Sequence, residues 1–106
     1  MDRSEEIWES SILPSLSDFI GIKALSPLFE PNWAKMGELD ATIELFCDWL
    51  DDQGIEGMSY EKHRIGELSP VLIVTIEGTG PGEVIFYSHL DKQPSKPELW
   101  SEGLHP

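Results

Sequence analysis

His89 and Asp91 are the residues whose types and spacing could do chemistry. They close the stretch Glu83-Val84-Ile85-Phe86-Tyr87-Ser88-His89-Leu90-Asp91, in which an apolar run long enough for one strand gives way to a polar His-x-Asp. In extended chain, residues i and i+2 point the same way and lie roughly 7 Å apart. The imidazole and the carboxylate can therefore lean together at the strand's C-terminal end, where open α/β sheets bind their ligands. That arrangement suits a metal-ligating histidine whose second ring nitrogen is held by a carboxylate, which fixes the tautomer and raises the ring's basicity. As a bare tripeptide, His-x-Asp equally describes two polar residues of a turn, and Asp91 also fits a helix-cap position.

The elements that must position this pair can be read from the periodicity of the chain. Trp8, Ile12, Leu16 and Phe19 follow one another at spacings of four, four and three, which is one face of a helix over about Glu5 to Ile20. Ser4 is the expected N-cap, and Glu5 and Glu6 suit the positive end of the helix dipole. Pro14 removes a backbone donor inside this pattern, so the expectation is one bent helix, with two short helices as the alternative. Gly21 to Met36 holds Pro27 and Pro31 without a clean period and reads as a loop, packed down by Ile22, Leu25, Leu28, Phe29 and Trp33. A second helix is expected from Glu38 to Gln53, where Leu39, Ile43, Phe46, Cys47 and Leu50 share a face and Gly54 closes the C-terminus in the left-handed conformation.

Three strand candidates follow the helices. Gly57 to Arg64 is mixed in polarity and reads as an edge; Val71 to Ile76 is β-branched and bounded by Pro70 and Gly78; Val84 to Tyr87 is apolar throughout and reads as an interior strand covered on both faces. The joins between them are too short for parallel crossovers, so neighbouring strands should pair antiparallel. The fold class is therefore α/β, two helices followed by about three strands, with the sheet incomplete because no fourth strand covers the interior one.

Bulk properties bound the partners. The 106 residues suffice for one small domain that buries roughly two-thirds of its unfolded surface. A formal net charge of −13 repels nucleic-acid phosphates and anionic membrane surfaces, so neither is an expected partner. Cys47 is the only cysteine, which leaves no intrachain disulfide, and its place on the apolar stripe of the second helix makes it a core residue before a nucleophile. The start lacks the basic-then-apolar order of a secretion signal and no apolar run reaches the ~18 residues of a membrane span, so a cytoplasmic protein is expected. His63 and His105 have no spacing that pairs them with His89 and read as surface histidines. Lys92 and Gln93 flank the pair and could touch a substrate, although a solvated loop explains them equally well; Trp100 is expected to pack under that loop.

The run Tyr87-Ser88-His89-Leu90-Asp91-Lys92-Gln93-Pro94, followed by Trp100-Ser101-Glu102-Gly103-Leu104, resembles the first metal-binding segment of the co-catalytic zinc metallopeptidases, the family of aminoacylases, carboxypeptidases and carnosinase-like dipeptidases. The Lys-Gln-Pro continuation and the Trp-x-x-Gly-Leu spacing are most similar to the dipeptidase branch. Ile22-Lys23-Ala24-Leu25-Ser26-Pro27-Leu28-Phe29-Glu30-Pro31-Asn32-Trp33 also resembles that branch, where a similar segment joins the first two helices.

The resemblance implies the N-terminal part of a three-layer α/β/α catalytic domain that cleaves peptide or dipeptide substrates. It implies two zinc ions per complete active site, bridged by a carboxylate and a water, with a downstream glutamate as general base. Carried over residue by residue, His89 is the one metal ligand in this chain and Asp91 the catalytic-site carboxylate that steadies it. The bridging aspartate, the base, the other ligands and the lid domain are expected beyond position 106. Because even a mononuclear catalytic zinc takes about three protein ligands, the 106 residues alone are expected to be inactive. The competing expectation is a small acidic interaction domain, non-catalytic, that pairs with a partner or forms a homo-oligomer through its open strand edge.

Overall fold

A computed structural model describes residues 2–105. The N-terminal arm is one continuous run of helical backbone: α1 (Arg3–Ile7), a π-helical turn (Trp8–Ile12) and α2 (Leu13–Gly21). Pro14 explains the π turn. Its ring crowds the carbonyl one turn earlier and it has no N–H to donate, and the preceding turn widens so that the Leu13 N–H donates to the Trp8 carbonyl, five residues back. The helix is thus widened by its proline without being divided. The N-cap is Asp2, a correction to the expected Ser4. The Asp2 carboxylate accepts from the backbone N–H groups of Ser4 and Glu5, and Glu5 reaches back to the Asp2 N–H, forming a capping box. A carboxylate two residues earlier reaches donors that the Ser4 side chain, already within the helix, does not.

The segment read as a loop over Gly21 to Met36 contains a short helix, α3 (Trp33–Met36), which ends at Gly37. Gly37 has φ +70°, so the chain turns left-handed there and starts α4 (Glu38–Gln53) at once. Helix α4 has the expected bounds and ends at Gly54, φ +59°. Leu39, Thr42, Ile43 and Cys47 are its buried face. Thr42 is satisfied by donating its hydroxyl to the Glu38 carbonyl at 2.9 Å. Two contacts fasten the arm to α4: Phe19 meets Phe46 edge to face with ring centroids 5.4 Å apart, and the Trp49 indole donates to the Ser11 hydroxyl at 3.3 Å.

Strands β1 (Met58–His63) and β2 (Val71–Ile76) pair antiparallel, as the short join requires, with Tyr60 opposite Val74 and Met58 opposite Ile76. Alternate residues of β1 and its continuation reach acidic residues of α4. The Tyr60 hydroxyl donates to both Asp51 carboxylate oxygens at 3.0 and 3.1 Å, Lys62 pairs with Glu44 at 2.6 Å, and Arg64 pairs with Asp40 while lying 5.5 Å over the Trp33 ring. The acidic stripe of the helix and the period-two face of the strand therefore run against each other. These pairs are exposed, so they orient the two elements more than they stabilise them.

The third strand does not form, which corrects the expected three-stranded sheet. The sheet of the described residues is β1-β2 alone, and Val84, Ile85, Phe86 and Tyr87 run past it unpaired, 80 to 91% exposed. A strand that is apolar on both faces needs pairing and cover on each side, and the described residues supply neither. The same shortage is visible in the whole chain. Its accessible surface is 8789 Å² against about 6,000 Å² for a compact protein of this mass. Its radius of gyration is 16.4 Å against about 13 Å. Burial on folding comes to about half of the unfolded surface, short of the expected two-thirds. The architecture is mixed α/β, a helical core with a two-stranded antiparallel sheet beside it. No helix among the described residues is long and apolar enough to cross a membrane.

Candidate metal-ligand segment

His89 and Asp91 meet without the strand that was expected to carry them. The His89 Nδ1 lies 2.9 Å from the Asp91 carboxylate Oδ1 and 2.9 Å from the Asp91 backbone carbonyl. Both neighbours are acceptors, which assigns the proton of the neutral ring to Nδ1 and leaves the lone pair on Nε2. The His89 side chain is 71% exposed, while that of Asp91 is 35% exposed and lies nearer the protein. No group among the described residues hydrogen-bonds Nε2. The ring is thus held at Nδ1 in a largely exposed side chain, with the Nε2 lone pair engaged by no described residue.

Asp91 keeps its place because the next residue is fastened. The Lys92 N–H donates to the Ala24 carbonyl at 2.8 Å and the Ser26 N–H donates to the Lys92 carbonyl at 2.9 Å, a parallel bridge between Leu25 and Lys92. The Lys92 ammonium turns back to the C-terminal end of α2, where it donates to the carbonyls of Phe19 and Ile22 and sits 4.2 Å over the Phe19 ring. Burial of the ammonium pushes Lys92 below the usual lysine range, with the Glu38 carboxylate pulling weakly the other way. The sequence left Lys92 open between a substrate contact and a solvated loop, and this anchor was neither. A signal was present: α2 ends with no basic residue in its last turn, and the negative end of a helix attracts a cation from elsewhere in the chain.

The remaining candidates lie apart. Gln93 is exposed, and Trp100, expected under the loop, is 50% exposed beside the short 3₁₀ turn Pro97–Leu99. His63 lies 3.2 Å from Glu61 at the surface of β1, and His105 is exposed. Cys47 is buried in the face of α4, and desolvation by burial pushes its thiol above the usual range; the Lys62 ammonium opposes this, and the Glu44, Asp51 and Asp48 carboxylates add to it. Such a thiol is a poor nucleophile, in keeping with a core role.

Whether these residues fit a zinc ion follows from the donors. His89 fits one ligand position, since a carboxylate-held imidazole with a free Nε2 is what a zinc-binding histidine requires. Among the described residues no group of three or more His, Cys, Asp or Glu is gathered closely enough to hold a metal ion. One donor does not complete a catalytic zinc site. In comparisons with known proteins, the chain matches no family model and no curated sequence.

Proposed function

We propose that this chain supplies the first metal-ligand segment of a metal-dependent dipeptidase or related peptidase, with His89 as ligand and Asp91 as the carboxylate that orients it. The observation that carries the reading is the His89 ring held by Asp91 at Nδ1 in a mostly exposed side chain, with Nε2 engaged by no described residue. A second observation supports it. The two stretches that resemble the dipeptidase branch, 22–33 and 87–94, are hydrogen-bonded to each other where Lys92 pairs with Ala24 and Ser26 on either side of Leu25. Zinc held by His89 together with ligands from outside these residues would supply a Lewis acid and a water that ionises near neutral pH. What the chain itself contributes is a lone pair at a fixed place. Asp91 keeps the proton on Nδ1, and the Lys92 anchor keeps Asp91 where the ring needs it.

The reading frame beyond the codon for Pro106 tests this proposal. A frame that continues through a Gly-rich segment with paired aspartates and later paired glutamates supports it, and a frame that closes at once overturns it. The product of a continuing frame should cleave simple dipeptides in a metal-dependent way. His89→Ala should abolish that cleavage, and Asp91→Asn should weaken metal affinity by about 10- to 100-fold. The 106 residues alone should cleave nothing.

One observation favours a second reading, an acidic interaction domain. The outer edge of β2 is unpaired and residues 84–87 lie outside any helix or strand with their apolar side chains in solvent, a surface that can add to a partner's sheet or to a second copy. Size-exclusion chromatography separates the two. A discrete monomer or dimer unchanged by His89→Ala favours the interaction domain, whereas concentration-dependent aggregates favour a catalytic domain missing its cover.

A further inference from the structure

Between residues 78 and 105, every hydrogen bond to the rest of the chain among the described residues passes through Lys92. Its backbone contributes two, to Ala24 and from Ser26, and its ammonium contributes two more, to Phe19 and Ile22. The ring beneath the ammonium, Phe19, is itself wedged edge-on against Phe46 of α4. A continuous set of contacts therefore runs from the helical core through Phe19 and Lys92 to Asp91 and the His89 imidazole.

We infer that Lys92 is the positioning residue of the His89–Asp91 pair, holding the segment on the end of α2 so that Asp91 can orient the ring. Two of its ammonium protons are engaged by carbonyl oxygens and the group faces an aromatic ring, which leaves it turned inward and away from any substrate at His89. A cation is the fitting group there: the Phe19 and Ile22 carbonyls lie at the negative end of the α2 dipole, and each accepts a single backbone N–H, from Ile22 and Ala24, which leaves a lone pair for the ammonium. A methionine of similar length would fill the space and remove the charge and both ammonium hydrogen bonds, whereas an arginine would keep the charge. The anchoring itself rests on this geometry; its catalytic meaning rests on the metallopeptidase reading.

The test is nuclear magnetic resonance on the full 106-residue chain with ¹⁵N-labelled histidine and lysine, at a pH where imidazoles are neutral. The expected result is that His89 is mainly the Nδ1–H tautomer in the original chain. In Lys92→Met the Nδ1–H fraction should be more than halved, and in Lys92→Arg it should return to the original value. His63 and His105 should be unaffected and serve as references. Lys92→Met with an unchanged His89 tautomer in a folded chain, judged by protection of the Cys47 thiol, overturns the inference. Should that variant unfold, the original chain decides: slowly exchanging Lys92 ammonium protons in contact with the Phe19 ring are expected, and rapid exchange with no such contact overturns it. Neither readout uses a metal. A tautomer that responds to Lys92 in a protein whose complete frame hydrolyses nothing leaves the anchor standing and removes the peptidase reading.

Discussion

Helix α4 and the segment 84–87 each carry apolar side chains in the pattern their expected element requires, and they end in opposite states. Leu39, Ile43 and Cys47 of α4 are 3 to 6% exposed; Val84, Ile85, Phe86 and Tyr87 are 80 to 91% exposed. The difference lies in where each element finds its hydrogen bonds. A helix closes its ladder within its own residues, so α4 needs only one apolar neighbour, which the arm supplies through Phe19. A strand borrows its ladder from neighbouring strands and, when apolar on both sides, its cover from two layers. Segment 84–87 has the composition for that position and lacks the surroundings.

The largest expected effect comes from testing the two regions directly. Ile43→Ala should cost about 2–4 kcal/mol in urea unfolding, the range for deleting a buried aliphatic side chain. Phe86→Ala removes a larger side chain from solvent and should leave the midpoint unchanged within about 0.5 kcal/mol. Equal losses at the two positions would mean that residues 84–87 are covered in solution, and the contrast would fail.

What the sequence revealed follows the same division. The bounds of α4, its cap at Gly54, the antiparallel pairing of Val71 to Ile76 and the burial of Cys47 each depend on residues close in the chain or on a face that periodicity defines. The proximity of His89 and Asp91 was legible for the same reason, since two residues apart in nearly any extended conformation can meet. The anchor at Lys92 was not, because its partners Phe19 and Ile22 lie some seventy positions away and nothing local in the lysine's surroundings points to them. The missing third strand was illegible from the other side: its sequence states what it would bury, but only the fold shows that the described residues offer nothing to bury it against.

A smaller effect tests the closure of α4. Gly54 has φ +59°, where a Cβ crowds the backbone, and a Cβ built there meets no other atom. Gly54→Ala should therefore cost about 1 kcal/mol through backbone strain alone. Chemical denaturation followed by circular dichroism reads it. A loss near that for Ile43→Ala would mean that the turn packs against something further.

Smaller still is the effect of the Tyr60 hydroxyl, which ties β1 to α4. Its hydrogen bond to Asp51, aided by desolvation and by the negative charge, raises the phenol above its usual 10.0. The folded chain then holds this proton more tightly than the unfolded chain. The contribution is complete below pH 10.0 and is lost as pH rises through the raised folded value. Phenolate absorbance in a Tyr87→Phe background should titrate higher than in the same chain with Asp51→Asn. Coincident curves would mean that the strand and helix are not joined there.

The smallest expected effect sits at Asp2, where the comparison between closed and open regions reaches the chain's first turn. Hydrogen bonds from the Ser4 hydroxyl, the Glu5 N–H and the Ser4 N–H lower the Asp2 carboxyl below its usual 3.8, against a smaller desolvation effect. Here the unfolded chain binds the proton more readily. The cap is fully effective above pH 3.8 and is lost as pH falls through the lowered folded value. Because α1 has no buried residue, losing the cap should fray its first turn and leave the core of α4 intact. Amide exchange at Ser4 and Glu5 should accelerate in Asp2→Ala at neutral pH, and in the original chain only once the carboxyl protonates. Amide exchange along α4 should stay as it was. Acceleration spreading to Ile43 and Cys47 would show that the arm and α4 open as one cooperative unit, joined more firmly than Phe19–Phe46 and Trp49–Ser11 suggest.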